Sequence, residues 1–318
     1  MKPSCSPKTR NSKPARAETQ TGRHCTYNIR GQAAVRAKIR DTQIYFDVEG
    51  AGLVPDGPRM NEKPVLFAVH GGPGVDHTGY KPSLSPLSRH VQIVYFDHRG
   101  QGRSARGDIA SYTLENNVAD MDALRDYLGL EKIAVLGGSY GGIVAQAYAA
   151  QYPDRVSHLI LSVTASEGLC LTRAREILNE RGTPEQIQWG ERLFQGAFES
   201  DEQVKEFFQV MGTMYSVKFD AEQAKLKRER SIVSKDAINF AFGGFLRQLS
   251  LTASLPRIKA RTLVIGARHD WICAPEFSEL VASKIDGAML HIFEESGHWV
   301  AADQQQAYLE LITNFLTS

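Results

Sequence analysis

A chain of 318 residues, 42% hydrophobic and 23% charged, is long enough for one large domain or two small ones with a deep core. Thirty-seven Lys+Arg against 36 Asp+Glu leave a formal charge of +1, and 9% of residues are aromatic, which argues against a polyanion-binding protein and against a disordered one. Four cysteines, at positions 5, 25, 170 and 273, are too scattered for a disulfide framework or a metal site, so a reduced, cytoplasmic setting is expected.

The first two dozen residues carry Lys2, Lys8, Arg10, Lys13, Arg16 and Arg23 against Glu18 alone, and they lack the apolar run of a secretory signal. Residues 1–25 therefore read as a disordered basic tail, with an organellar transit peptide as the alternative reading. From residue 42 strands and helices alternate. Ile44, Phe46 and Val48 alternate with polar positions, as in a half-buried strand. PVLFAVH at 64–70 and VQIVYF at 91–96 are apolar runs of the kind buried on both faces of a parallel sheet. Thr113 caps a helix whose Val118, Met121, Leu124 and Leu128 share one face, and Gly129 stops it. KIAVLG at 132–137 predicts a strand, 143–151 a helix and 156–163 another strand. The 21-residue uncharged run at 133–153 holds four glycines and changes period halfway, so no membrane span is expected there.

This rhythm stops near Ser166 and resumes at Arg261. The stretch between predicts helices only. Thr183-Pro184 with Gln186, and Ser200 with Gln203, are helix starts, and the second leads into Val204, Phe207, Phe208 and Met211 on one face. Trp189, Phe194, Phe198, Phe240, Phe242 and Phe245 crowd the same stretch, as in a lid over an apolar pocket, although the core of a helical subdomain accounts for many of these rings equally well. A strand at 262–266, a helix at 275–285, a strand at 289–293 and a helix at 304–316 complete the chain. Strand-then-helix repetition implies parallel strands with right-handed crossovers. The expected organisation is a tail (1–25), a first core part (26–165), a helical cap (166–255) and a second core part (256–318).

Gly137-Gly138-Ser139-Tyr140-Gly141 matches G-x-S-x-G with a buried strand before it and a helix after it, the context in which that serine is a nucleophile. A serine hydroxyl needs a base to take its proton and a third group to orient the base. His298 follows the last strand and Asp270 follows the strand before it, both at strand ends that face a ligand crevice. His70-Gly71-Gly72-Pro73-Gly74 follows another buried strand. Glycines there let backbone N–H groups approach a developing oxyanion, and Gly72 and Tyr140 are the candidate donors. Serine at 139 disfavours the aspartate-nucleophile chemistries. Asp97-His98-Arg99-Gly100-Gln101-Gly102-Arg103-Ser104 reads as a turn that pins neighbouring loops, and Cys273 as a buried small residue.

HGGPG (70–74), DHRGQGRS (97–104), GGSYGG (137–142), GARHD (266–270) and SGH (296–298), in this order, resemble the proline iminopeptidase branch of the α/β-hydrolase superfamily from about residue 42 onward. The resemblance implies an α/β-hydrolase fold, a mostly parallel eight-stranded sheet flanked by helices with a helical cap inserted after the sixth strand. It implies hydrolysis through an acyl-enzyme on Ser139, the order Ser139, Asp270, His298, and no metal or organic cofactor. Family members that release N-terminal proline hold the substrate's amino group with cap glutamates. This chain offers Trp189-Gly190-Glu191 and no second matching glutamate. His70, Trp189, Glu191 and Phe242 are the candidate substrate-binding residues. The expected substrate is a short peptide or small molecule, with no nucleic-acid or membrane partner. Ester or lactone cleavage, or a tailoring hydrolysis in a small-molecule pathway, is the alternative, and a non-catalytic binder on the same fold a remote one.

Overall fold

Apolar residues on alternate positions of the central strands have two layers to enter. In β5 (Val65–Val69), Phe67 and Val69 enter one buried cluster while Leu66 and Ala68 enter another. The computed structural model, which describes residues 35–318, places those clusters on the two faces of one sheet. Its strands are β1 (Arg36–Ile39), β2 (Thr42–Glu49), β5, β6 (Gln92–Phe96), β7 (Ile133–Gly138), β8 (Val156–Ser162), β9 (Arg261–Ala267) and β10 (Met289–Phe293). Eight strands run in the order β1-β2-β6-β5-β7-β8-β9-β10, antiparallel at β1, β2 and β6 and parallel from there on. The tail expected at 1–25 and the start of the first core part lie outside the described residues.

Helices α1 (Leu114–Tyr127), α2 (Tyr140–Gln151) and α9 (Pro275–Lys284) contribute to the cluster on one face, and α11 (Gln305–Thr317) with the 3-10 turn Ser85–Arg89 to the other. Thr113 caps α1 by accepting from the Asn116 N–H, and Gly129 follows it at φ +70°. α2 begins at Tyr140, not at 143: Gly141 and Gly142 are poor helix formers, but packing against the sheet holds them in the first turn. Three strands are absent from the sequence reading. β1 has only four residues, and the hairpin of β3 (Leu53–Asp56) and β4 (Arg59–Glu62) is exposed and carries Pro55 in a strand.

Between β8 and β9 the chain forms α3 (Leu169–Arg181), α4 (Pro184–Gln195), α5 (Asp201–Val210), α6 (Gly212–Tyr215), α7 (Ala221–Arg230) and α8 (Lys235–Gly243). Thr183 and Gln186 form a capping box at α4, and Ser200 accepts from the Gln203 N–H at α5. This excursion leaves and returns at one point. The Leu251 N–H donates to Ser166 O (2.8 Å), the Gly168 N–H donates to Leu249 O (2.9 Å), and the Ser166 and Thr252 hydroxyls are 2.7 Å apart. α7 is polar on all sides, Lys225, Lys227, Arg228 and Arg230 against Glu222 and Glu229, and has no apolar period to announce it. Among the described residues no helix is long and apolar enough to cross a membrane; the uncharged run at 133–153 forms β7 and α2.

Candidate active site

Ser139 stands between β7 and α2 at φ +54°, ψ −122°, a conformation a non-glycine residue holds only under constraint. The constraints are visible. Its N–H donates to Ser162 O (2.9 Å), and its carbonyl accepts from the Gly142 N–H (2.9 Å) and from Thr164 Oγ1 (2.7 Å). The turn admits no bulk: a Cβ on Gly137 would lie 2.3 Å from Gly141 O. The side chain of Ser139 itself remains half-buried rather than sealed.

His298 and Asp270 meet. His298 Nδ1 lies 2.7 Å from Asp270 Oδ2, with the imidazole 8% and the acid 1% exposed. Asp270 Oδ1 accepts the N–H groups of Ile272 (2.9 Å) and Cys273 (3.0 Å), which leaves Oδ2 for the imidazole. The two loops are tied by the His269 N–H donating to Ser296 O (3.0 Å), and the Gly297 N–H donates to Asp303 Oδ2 (2.8 Å). The imidazole is thereby held at Nδ1 with no hydrogen bond joining it to Ser139 Oγ. Such contacts are often long before a substrate compresses the site. Cys273 lies beside the Ser139 hydroxyl; burial pushes its thiol well above the usual range, so it stays protonated and a poor nucleophile.

The loop after β5 abuts the nucleophile. A Cβ on Gly71 would meet Gly138 O at 3.0 Å and Ser139 Cβ at 3.2 Å, and Gly72 adopts φ +106°. The Gly74 N–H donates to Gln101 Oε1 (2.7 Å), and the Ser234 N–H of the helical excursion donates to Gly74 O (2.9 Å). The 97–104 turn does pin its neighbours. Asp97 accepts from the His77 N–H (2.8 Å) and the Arg103 N–H (2.7 Å), and Arg99 donates to Asp120 (2.6 and 2.7 Å) and Asp41 (2.8 Å).

Two of the expected substrate-binding residues have partners within the chain. His70 is 2% exposed and both its nitrogens serve the backbone: Nδ1 is 2.8 Å from Gly71 O, and Nε2 accepts from the His98 N–H at 3.1 Å. It props the glycine loop and has no nitrogen left for a ligand. Glu191 is held by Arg175 at 2.6 and 3.2 Å, so its charge is already answered. Trp189 stacks on Phe198 (6.4 Å between centroids) and Phe242 is buried, both among the apolar side chains of the excursion. The rings nearest the imidazole are others. Tyr215 meets His298 edge-on at 5.5 Å, stacks on Trp299 at 5.1 Å and packs on Trp271 at 5.5 Å. The sequence gives little notice of Thr164, Gln101 or Tyr215, although Thr164 stands just past a strand end, where such roles concentrate.

His98 is 1% exposed and neither ring nitrogen has a partner. Burial, and then neighbouring His70, hold its pKa well below the ordinary 6.5; His70 is lowered also, by burial first. Below pH 6.5 the unfolded chain therefore binds protons that the folded chain refuses, so stability falls as the pH drops through 6.5. Unfolding free energies from urea titrations at pH 7.5, 6.5 and 5.5 should decline mainly over the lower interval, by up to about 1.4 kcal/mol per pH unit for each such group, and His98→Phe should flatten the slope. An unchanged slope in His98→Phe would show that His98 contributes nothing to it.

A family profile described as alpha/beta hydrolase fold matches residues 64–304. Over 281 residues the chain is 33% identical to the proline iminopeptidase PfmaB of Pestalotiopsis fici, covering 86% of this chain and 98% of that one. It is 26% identical over 291 residues to the proline iminopeptidase of Thermoplasma volcanium, covering 88% and 95%. Among solved structures, the enol-lactonase from Burkholderia xenovorans LB400 superposes with a TM-score of 0.71 at 21% identity, over 89% of this chain and 100% of that one.

Proposed function

Because this chain belongs to the α/β-hydrolase fold family and is proline iminopeptidase-like in sequence, we propose that it is a serine hydrolase that cleaves an acyl bond of a small substrate through Ser139. The observations that carry the reading are the 2.7 Å His298–Asp270 pair and a serine held at φ +54° between strand and helix. Ser139 Oγ attacks the acyl carbon while His298 Nε2 takes its proton, and Asp270 stabilises the imidazolium that results. The oxyanion is received by the N–H groups of Gly72 and Tyr140. His298 returns the proton to the leaving group, and water then releases the acyl group by the same steps in reverse. These side chains suffice for the reaction without a cofactor. The companion proposals for the chain's organisation are a cap at 166–255 between core parts 26–165 and 256–318, and a cytoplasmic location.

For the substrate, sequence similarity favours a prolyl peptide, released from its amino end. One observation favours an ester or lactone instead: the cap glutamate expected to meet the substrate's amine is neutralised by Arg175. Prolyl β-naphthylamide assayed beside a panel of acyl esters and lactones separates the two. Glu191→Gln is expected to change kcat/KM on either class by less than about threefold, since a half-exposed ion pair contributes little. Loss of prolyl turnover in that variant would restore Glu191 as the amine receptor. A fluorophosphonate probe should label the wild type and spare Ser139→Ala; equal labelling of both would end the proposal.

A further inference from the structure

The loop that carries His298 is held from two sides. Ser296 belongs to the core: its carbonyl accepts from the His269 N–H (3.0 Å) and its hydroxyl donates to Gln304 Oε1 (2.8 Å). The residues that flank His298 answer to the helical excursion. The Trp299 N–H donates to Tyr215 O (2.9 Å), and a Cβ on Gly297 would lie 2.7 Å from that same carbonyl. The Gly297 N–H goes to Asp303, which ends the short helix α10 (Val300–Asp303). Asp303 is 5% exposed, and the four groups it accepts from are all uncharged. Oδ2 takes the Gly297 N–H (2.8 Å) and the Val217 N–H (3.3 Å), and Oδ1 takes the Ser216 hydroxyl (2.5 Å) and the Lys218 N–H (3.0 Å). A buried carboxylate needs such a set of donors in place of water. One side chain thereby joins three consecutive residues of the excursion to the residue before His298.

Asp270 fixes only Nδ1 of the imidazole. A single hydrogen bond is a pivot about which the far nitrogen can swing, and Nε2 is the atom that must meet Ser139 Oγ and then the leaving group. The backbone of the loop removes that swing. It is held at 297 by Asp303 and at 299 by Tyr215 O, with the Tyr215 ring edge-on to the imidazole at 5.5 Å. A misplacement of about 1 Å at such an atom costs on the order of 100-fold in rate.

We propose that Asp303 is a positioning residue for the general base: its carboxylate locks the His298 loop to residues 216–218 of the excursion, so that the seating of the excursion aims Nε2 together with Asp270. The inference rests on the reading of Ser139 and His298 given above and adds to it a residue that never touches substrate. An asparagine cannot replace it, because an amide offers one accepting oxygen where these donors occupy two. Its NH2 group confronts either the Gly297 and Val217 N–H groups or the Lys218 N–H, and the clasp opens at one end.

The test compares ethyl and 4-nitrophenyl esters, both of proline and of the acyl group best cleaved in the ester panel above. Both members of a pair need His298 to take the serine proton, but 4-nitrophenolate departs unaided while an alkoxide must be handed a proton by Nε2. The quantity read is the ratio of kcat/KM for the ethyl ester to that for the 4-nitrophenyl ester, in which the fraction of folded enzyme cancels. A residue that only supported the fold would leave this ratio unchanged. In Asp303→Asn it is expected to fall about tenfold or more, and in Ser216→Ala, which loosens only the excursion's end of the clasp, about fivefold. Ratios within about twofold of wild type in both variants would overturn the inference, and if Asp303→Asn does not fold, Ser216→Ala alone decides. Flat ratios with Ser139→Ala and His298→Ala inert would leave the hydrolase reading standing without Asp303. No ester turnover by the wild type, or turnover that survives Ser139→Ala, would end that reading and the inference with it.

Discussion

Ser139→Ala is expected to lower kcat by on the order of 10³-fold or more on whichever acyl substrate the wild type cleaves, a barrier increase of at least about 4 kcal/mol. Alanine keeps the strained turn but removes the oxygen that forms the covalent bond. His298→Ala should fall to a similar level, because without a base the Ser139 hydroxyl stays protonated. The double variant should then be no slower than either single one, since the two groups act in one step. Asp270→Asn is the more discriminating change. Oδ1 of residue 270 must accept two backbone N–H groups, from Ile272 and Cys273, so an asparagine there turns its oxygen to that position. Its NH2 group then faces His298 Nδ1, where Oδ2 of the acid now lies at 2.7 Å. An imidazole that must accept at Nδ1 carries its proton at Nε2, and cannot take the proton of Ser139. The isosteric substitution is therefore expected to cost about as much as deleting the side chain, up to about 10⁴-fold in kcat. Steady-state kinetics at one pH check it, and retention of more than a tenth of wild-type kcat by Asp270→Asn would remove Asp270 from the machinery.

What the sequence discloses and what it hides divide along a physical line. Strands buried on both faces must be apolar throughout, so β5, β6, β7 and β9 are legible within about two residues at each end. Caps are local, so Thr113, Thr183 and Ser200 are legible too. Ser139, Asp270 and His298 are readable as residue types at strand ends because parallel strands all deliver their loops to one side. Partnership between distant side chains is another matter. Glu191 reads as an available carboxylate until Arg175, one helix earlier, is seen to hold it. His70 reads as a pocket residue until the His98 N–H is found on its Nε2. Lys227 lies in a charged helix indistinguishable in sequence from a solvated surface, and its ring partner, Trp299, is supplied by the far end of the chain. β1 turns Ala37 and Ile39 inward on alternate positions but over only four residues, too short a run to be read, and the exposed β3–β4 hairpin leaves no apolar pattern.

The glycines that make the turn possible are expected to matter as much for folding as Ser139 does for rate. A Cβ on Gly141 would lie 2.0 Å from Val69 O and 2.6 Å from His70 O, both backbone atoms, so no side-chain rotation relieves the clash. Val69 cannot retreat. It closes β5, faces Phe96 of β6 and Gly137 of β7 in the ladder, and its carbonyl also accepts from Tyr80 OH at 3.0 Å. Either α2 lifts off the sheet or the oxyanion loop is displaced, and each unpacks buried residues around Tyr140 and Val144. Gly141→Ala is therefore expected to cost more than about 4 kcal/mol, the range reserved for substitutions that overpack a core with no path to relaxation. Gly57 and Gly129 supply the contrast. They sit at φ +57° and +70° with nothing within 4 Å of an added Cβ, so alanine there should cost only about 1–2 kcal/mol of backbone strain. Urea denaturation of the three variants separates clash from strain: the midpoint should shift far more for Gly141→Ala than for the other two, at an unchanged m-value. If Gly141→Ala unfolded within about 1 kcal/mol of wild type and kept its turnover, α2 would have room against β5 that the 2.0 Å approach denies, and the constraint that aims Ser139 would have to come from elsewhere.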